Sequence, residues 1–239
     1  DSIGYSSGAG GSSVAFKMGT ACYEAAQDVR GQIIQRAARI WDVDPESVEY
    51  DKGTVRHQSD PELKMTFAEI AGRLNATGGP ITGRAAVNPT TVGNAFCANI
   101  VDVEVDPETG KTQVLRMTVI QDVGKALHPS YVEGQIQGGT VQGIGWALNE
   151  EYFINDDGSM ANHSFLDYRM PTSLDLPMIE TIMVEVPNPN HPYGVRGVGE
   201  VPLCPPIAAA GNAINDAIGK RIYEQPIKPG RILEAISKN

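Results

Sequence analysis

A glycine-rich helical stretch is the feature of this sequence that most restricts its fold. Residues 130–150 predict one long helix that contains five glycines. Each glycine inside a helix costs about 1 kcal/mol relative to alanine, so we expect very close packing of this helix against another backbone. The glycines are Gly134, Gly138, Gly139, Gly143 and Gly145. The glutamines that open the stretch could hydrogen-bond a polar cofactor through amides that both donate and accept; solvated glutamines on a packed helix are the alternative.

The other periodicities predict a mixture of helices and hairpins. Apolar residues at three- and four-residue steps predict a helix over about 18–41. Thr66 and Glu69 form a capping box that opens a helix ending before Gly78. Further elements are strands at Val48–Tyr50 and Thr54–His57, a hairpin of 96–105 with 114–123, strands at Glu151–Ile154 and Ile179–Val186, and a helix over Pro206–Ile218.

The order of these elements lacks a regular alternation of strand and helix, which favours an α+β fold over a doubly wound sheet. We therefore expect mixed hairpin sheets with packed helices. A chain of 239 residues can bury the core of one large or two modest domains. We expect two subdomains, 1–95 and 96–239.

The charge balance excludes several function classes. Nineteen basic and 29 acidic residues give a net charge of −10, so DNA or an anionic bilayer would be repelled on average. No stretch reaches the roughly 18 apolar residues that span a membrane, and we expect a soluble protein. The chain begins Asp1-Ser2 without an initiator Met or a secretory signal, so we expect a fragment or a processed chain.

The three cysteines, Cys22, Cys97 and Cys204, lie far apart and form no C-x-x-C pair. This spacing argues against a disulfide framework, a zinc site or an iron–sulfur cluster on this chain. We expect a reducing compartment and hence a cytoplasmic location.

Two further segments carry candidate chemistry. A loop of small residues over 6–13 leads into the first helix, and its amides could bind a phosphate or an oxo ligand; an ordinary loop is the alternative. It contains neither G-x-G-x-x-G nor a P-loop motif. In the second segment, Glu200 follows Gly199 and precedes an apolar stretch that includes Pro202 and Leu203. This carboxylate could act as a general base, or it could be a solvated loop glutamate.

The histidines show no H-x-x-x-H spacing, and we expect them to be structural or exposed. They are His57, His128, His163 and His191.

These segments, in this order, resemble the C-terminal half of the molybdopterin-binding subunit of the xanthine dehydrogenase and aldehyde oxidase family of molybdenum hydroxylases. Gly197-Val198-Gly199-Glu200 resembles the catalytic glutamate motif, Gly134-Gln135 with 141–145 resembles the pterin-contacting helix, and Gly10-Gly11-Ser12-Ser13 resembles a cofactor loop. The resemblance extends through residues 226–233. The earlier glycine-rich motifs of the family are missing, so the resemblance implies a chain that supplies half of an active site.

The resemblance implies a molybdenum–molybdopterin cofactor with a sulfido ligand, and hydroxylation of a purine-like heterocycle or an aldehyde with oxygen from water. Glu200 would be the general base. Gly10, Gly11, Ser12 and Ser13 would hold the cofactor, and Gln135 would hydrogen-bond the pterin or its phosphate. No residue of this chain is assigned as a metal ligand. Arg196 would orient the carboxylate or neutralise cofactor charge, or else face solvent.

Implied partners are the N-terminal half of the same subunit, iron–sulfur and flavin (FAD) domains or subunits, and a small-molecule substrate, in an oligomer. Two alternatives stay open: a non-catalytic scaffold or assembly module of the same fold, and a nucleotide-binding protein that uses the Gly/Ser loop. The presence of Glu200 and Gln135 favours the enzyme over the scaffold. The acidic composition without a P-loop disfavours nucleotide binding.

Overall fold

The computed structural model describes residues 5, 8–89 and 93–238. Ser6 and Ser7 of the predicted Gly/Ser loop lie outside the described residues. The chain divides into two compact units, one of residues 1–16 with 91–239 and the other of residues 17–90. The first residues therefore group with the larger unit, which differs from the predicted subdomain 1–95.

The smaller unit joins one long helix to a small sheet. It contains α1 (Val14–Trp41) apart from its first turn, an antiparallel sheet in the order β1-β2-β3, and α2 (Phe67–Arg73). The strands are β1 (Val48–Asp51), β2 (Thr54–His57) and β3 (Lys64–Thr66). Buried Ile33 and Ala37 of α1 pack with Val55, Met65 and Ile70. The predicted stripe thus forms core in the second half of α1, whereas Cys22 is exposed.

The predicted capping box is confirmed. Thr66 Oγ1 accepts the backbone N–H of Glu69 at 3.3 Å, and Glu69 Oε2 accepts the N–H of Thr66 at 2.7 Å. These two bonds satisfy donors that the first turn of α2 leaves without helical partners. A short 3₁₀ turn continues α2 to Thr77, and Gly78 ends it.

The larger unit is built on a three-stranded sheet in the order β4-β5-β6. The predicted hairpin is present as β4 (Cys97–Val105) and β5 (Thr112–Asp122), and β6 (Ile179–Val184) runs parallel to β5. The glycine-rich helix is α3 (Pro129–Leu148), followed by α4 (Pro205–Ile218) and an additional helix, α5 (Pro229–Ser237). These elements form the predicted α+β fold. The main core cluster contains Met117, Val119, Ile136, Ile144 and Ala210.

The strand predicted at Glu151–Ile154 is wrong. Only Ile154 makes an isolated bridge, to Met160. The amide side chain of Asn162 accepts the N–H of Phe153 at 2.9 Å and donates to the carbonyl of Glu151 at 2.7 Å. A buried side chain therefore supplies two of the hydrogen bonds that a neighbouring strand would otherwise provide.

Within the described residues, none of the helices combines the length and the apolar composition needed to cross a bilayer.

Candidate active site

The glycines of α3 bring that helix against the segment that carries Glu200. A Cβ atom on Gly139 would lie 2.6 Å from the carbonyl oxygen of Gly199 and 2.7 Å from Cγ of Pro202, and one on Gly143 would overlap the carbonyl oxygen of Leu203. Both helical positions thus require glycine.

Gly145 is also closely packed, but against side chains: a Cβ there would overlap the carboxylate of Glu150 and lie 2.8 Å from Cδ of Pro171. Close packing is absent at Gly134 and Gly138, which face open space. The prediction of close packing against another backbone is therefore confirmed for Gly139 and Gly143, whereas Gly145 meets only side chains, and it is wrong for Gly134 and Gly138.

The Gly/Ser loop forms a tight turn before α1. Gly10–Ser12 is a single 3₁₀ turn, and Ser13 closes it because its buried hydroxyl donates to the carbonyl of Gly10 at 2.8 Å. Gly11 has φ +65° and Ser12 has φ +54°, in the left-handed region that favours glycine. The space that a Cβ of Gly10 or Gly11 would occupy has no atom within 4 Å.

This turn places Ser12 beside Glu200, 188 residues further along the chain. The backbone N–H of Ser12 donates to Oε2 of Glu200, and the Ser12 hydroxyl lies 3.3 Å from the same oxygen. In return, the N–H of Glu200 donates to Oγ of Ser12 at 2.7 Å. Ser12 therefore orients both the carboxylate and the backbone of Glu200.

Gln135 completes the arrangement. Its amide oxygen lies 2.8 Å from the position that a Cβ of Gly199 would occupy, and its side chain is exposed. A Cβ on Gly197 would lie 2.8 Å from Cβ of Ser12. The loop, the glycine-rich helix and the Glu200 segment, which the sequence singled out separately, therefore meet around Gly199.

Arg196 anchors the backbone. Its Nε lies 3.1 Å from Oδ2 of Asp122, with both side chains only 12% exposed, and its guanidinium donates to the carbonyls of Val186 and Asn94. These partners lie at or next to the ends of the sheet strands: Asp122 ends β5, Asn94 precedes β4 and Val186 follows β6. Gln121, the residue before Asp122, also contacts this backbone: its side chain is buried, and its Nε2 donates to the carbonyl of Val198 at 3.1 Å.

Gln121 and Asp122 were not predicted from the sequence. The available signal for Gln121 was a polar residue in the two-residue register of the apolar Met117 and Val119.

The histidines are exposed or structural, as expected. His128 and His163 are exposed, and Nδ1 of His57 accepts the N–H groups of Ser59 and Asp60 in a local turn. His191 is buried and its ring centroid is 5.0 Å from that of Phe16. Burial lowers the pKa of His191, because desolvation disfavours the charged imidazolium. The part of the chain that the structure describes contains no group of three or more His, Cys, Asp or Glu side chains placed to hold a metal ion.

Residues 1–177 match the family model described as "Molybdopterin cofactor-binding domain". The chain belongs to this family. The matched part of this molybdopterin cofactor-binding domain includes the Gly/Ser loop and Gln135, and it ends before Glu200.

Among curated relatives, the domain is 39% identical over 158 residues to the putative xanthine dehydrogenase molybdenum-binding subunit XdhA of Escherichia coli (strain K12), covering 66% of this chain and 21% of that protein. It is 31% identical over 242 residues to the nicotine 6-hydroxylase large subunit of Paenarthrobacter nicotinovorans, covering 97% of this chain and 30% of the relative.

Among solved structures, quinoline 2-oxidoreductase from Pseudomonas putida 86 aligns with a TM-score of 0.85 at 32% identity, over all of this chain and 32% of that one. The domain thus spans about a fifth to a third of the length of these relatives.

Proposed function

We propose that this domain supplies the general-base side of the molybdopterin site in a hydroxylase that acts on a nitrogen heterocycle or an aldehyde. The observation that carries the proposal is the meeting of Ser12, Gln135 and Glu200 from three distant segments, in a chain that belongs to the cofactor-binding family. A carboxylate whose position is fixed by hydrogen bonds can act as a general base, since proton abstraction depends first on geometry.

The residues present fit the cofactor. No Cβ stands in front of Gly10 or Gly11, so a ligand can approach the loop backbone closely. The exposed amide of Gln135 offers both a donor and acceptors to a pterin or a phosphate. We propose that Gly10, Gly11, Ser12 and Ser13 form the loop that faces the cofactor and that Gln135 contacts it.

When bound, the cofactor would supply the two-electron redox chemistry of the hydroxylation. The chain's own part is to move one proton. Both contacts from Ser12 go to Oε2 of Glu200, so we assign Oε1 as the oxygen that takes the proton from the attacking nucleophile. The N–H of Glu200 is held by Oγ of Ser12, which fixes the carboxylate's direction of approach.

The names of three relatives support the substrate class. They refer to xanthine, nicotine and quinoline, which are all nitrogen heterocycles, whereas another relative, from Megalodesulfovibrio gigas, is an aldehyde oxidoreductase at 40% identity over 139 residues. A heterocycle is therefore the first candidate and an aldehyde the second.

We further propose that the domain works within a larger assembly with the remainder of the molybdopterin subunit and with iron–sulfur and flavin partners. Its share of the relatives' length supports this, since at most a third of each is covered. Several large apolar side chains are about nine-tenths exposed, as expected for a surface that another part of the assembly covers. They are Phe165, Leu166, Leu174 and Met178. All three cysteines are free thiols, which supports a cytoplasmic location.

Substituting Glu200 tests the catalytic role against a scaffold role. In the complete molybdenum-containing protein, Glu200→Gln keeps the side chain's shape but cannot accept the proton, so we expect kcat to fall by about 10²–10⁴ with molybdenum content unchanged. Glu108→Gln, in the exposed turn of the β4–β5 hairpin, is the matched control and should leave kcat unchanged. A Glu200→Gln protein that keeps more than about a tenth of the wild-type kcat would refute the general-base role and favour the scaffold.

A further inference from the structure

A glutamine occupies an apolar position at the end of the central strand. The inward-facing residues of β5 and its extension alternate as Met117, Val119, Gln121 and Val123, and all four are fully or almost fully buried. The three apolar members belong to the main core cluster. Gln121 alone carries a polar amide into this row, which is unfavourable for stability unless its groups are hydrogen-bonded.

Only half of the Gln121 amide is hydrogen-bonded within the described residues. Its Nε2 donates to the carbonyl of Val198 at 3.1 Å, whereas its Oε1 is buried without a hydrogen-bond partner. The amide cannot be reversed, because Oε1 would then face another acceptor. A leucine or methionine would fill this position without an unsatisfied side-chain atom, so the bond to Val198 is the feature that distinguishes glutamine here.

Val198 lies in a stretch whose conformation depends on contacts with other segments. It stands between Gly197 and Gly199, two residues before Glu200. Glycines leave the backbone free to adopt many conformations, so contacts from outside must fix this one. Ser12 binds the Glu200 end, and α3 packs against Gly199 through Gly139.

The end of β5 holds the other side of the stretch. Besides the bond from Gln121, Asp122 pairs with Arg196, the N–H of Lys125 donates to the carbonyl of Gly194 at 2.8 Å, and Gly124 bridges Val195. Of these contacts, the one from Gln121 is the nearest in sequence to Glu200.

We propose that Gln121 is a positioning residue that fixes the Val198 carbonyl and, through it, the carboxylate of Glu200. The inference rests on the proposed function of Glu200. Gln121 does not touch the reacting atoms; it limits the movement of the backbone that carries the base. A displacement of a catalytic group by about 1 Å is enough to lower a rate by about 10²-fold.

The test compares Gln121→Met with Thr118→Val in the complete molybdenum-containing protein. Gln121→Met removes the donor and the orphan acceptor at similar volume. Thr118 is a buried residue of the same strand whose hydroxyl donates to Glu180 at 2.8 Å, so Thr118→Val removes one side-chain hydrogen bond elsewhere on β5. For Gln121→Met we expect kcat to fall by about 10- to 100-fold, with KM and molybdenum content within twofold of wild type; Thr118→Val should leave all three within twofold.

Hydrogen exchange gives a readout that does not depend on turnover. Gln121→Met should speed exchange of the amides of residues 197–201 at least tenfold, and Thr118→Val should not. A Gln121→Met protein with kcat within twofold of wild type, or with unchanged exchange in this stretch, overturns the proposal. If this variant loses molybdenum, Gln121→Leu, which likewise removes the donor to the Val198 carbonyl, is judged by the same criteria.

The double variant Gln121→Met with Glu200→Gln separates the two hypotheses. If Gln121 acts through Glu200, adding Gln121→Met to Glu200→Gln lowers the slow residual rate by less than twofold. An additive loss shows that Gln121 acts elsewhere and overturns the inference. Retention of activity by Glu200→Gln alone refutes the proposed function instead, and the exchange data then still report whether Gln121 holds the stretch.

Discussion

Two adjacent glycines of α3 allow the packing against the Glu200 segment to be measured directly. Gly138 and Gly139 occupy the same part of the helix, but a Cβ on Gly138 would meet open space, whereas one on Gly139 would lie 2.6 Å from the Gly199 carbonyl oxygen and 2.7 Å from Cγ of Pro202. Alanine at either position gains the same helix propensity, about 1 kcal/mol. The difference between the two variants therefore reports the overpacking alone.

The expected magnitude follows from the atoms that the new methyl group meets. Overpacking a well-packed site typically costs about 1–3 kcal/mol. Because Gly139 faces a backbone carbonyl and a proline ring, neither of which can rotate away, we expect about 2–3 kcal/mol, at the upper end of that range. Gly138→Ala should thus stabilise the protein by about 1 kcal/mol and Gly139→Ala should destabilise it by roughly 1–2 kcal/mol after the propensity gain.

Thermal unfolding of both variants beside the wild type is the assay. For a unit of this size, 1 kcal/mol shifts Tm by about 2–4 °C, so Gly139→Ala should melt roughly 4–12 °C below Gly138→Ala. In the complete enzyme, Gly139→Ala should also lower kcat, since the methyl group displaces Gly199 and with it Glu200. A Gly139→Ala protein that melts at or above the temperature of Gly138→Ala would show that α3 does not press on this segment.

Two further predictions concern the loop and the buried histidine. Gly11→Val should lose molybdenum cofactor in the complete protein. Gly53→Val is the control, because Gly53 (φ +81°), like Gly11 (φ +65°), has a positive φ and faces open space; it should lower stability alone. Equal metal content in the two purified variants would contradict the loop assignment. Burial lowers the pKa of His191, so between that value and its ordinary value of about 6.5 the unfolded chain binds more protons than the folded one. The contribution of His191 to the free energy of unfolding should therefore be fully present above about pH 6.5 and decline as the pH falls below it. Urea titrations of His191→Gln should show a flatter decline with falling pH. If the pH dependence of stability is the same in wild type and variant, His191 is not the source of the decline.

Features set by neighbouring residues could be predicted from the sequence. The capping box of Thr66 and Glu69 depends on two residues three positions apart, and the β4–β5 hairpin depends on its alternating strands and the turn at 106–110. The glycine content of α3 predicted close packing but not which glycines make it, because the sequence does not specify which side of a helix meets another backbone. The same patterns singled out Gly10–Ser13, Gln135 and Glu200, whose roles stay predictions.

Only the tertiary structure determined the contacts between residues far apart in sequence. The pairing of Ser12 with Glu200 joins residues 188 positions apart, and the bond from Gln121 to Val198 spans 77. The replacement of a strand at 151–154 by the side chain of Asn162 also escaped prediction. Local propensity acts over a few residues, whereas the partner of a backbone carbonyl or a carboxylate depends on which segments the packed core brings together. The sequence by itself therefore determined most of the elements and the chemical groups, and the packing of α3 and β5 around residues 197–200 determined how those groups meet.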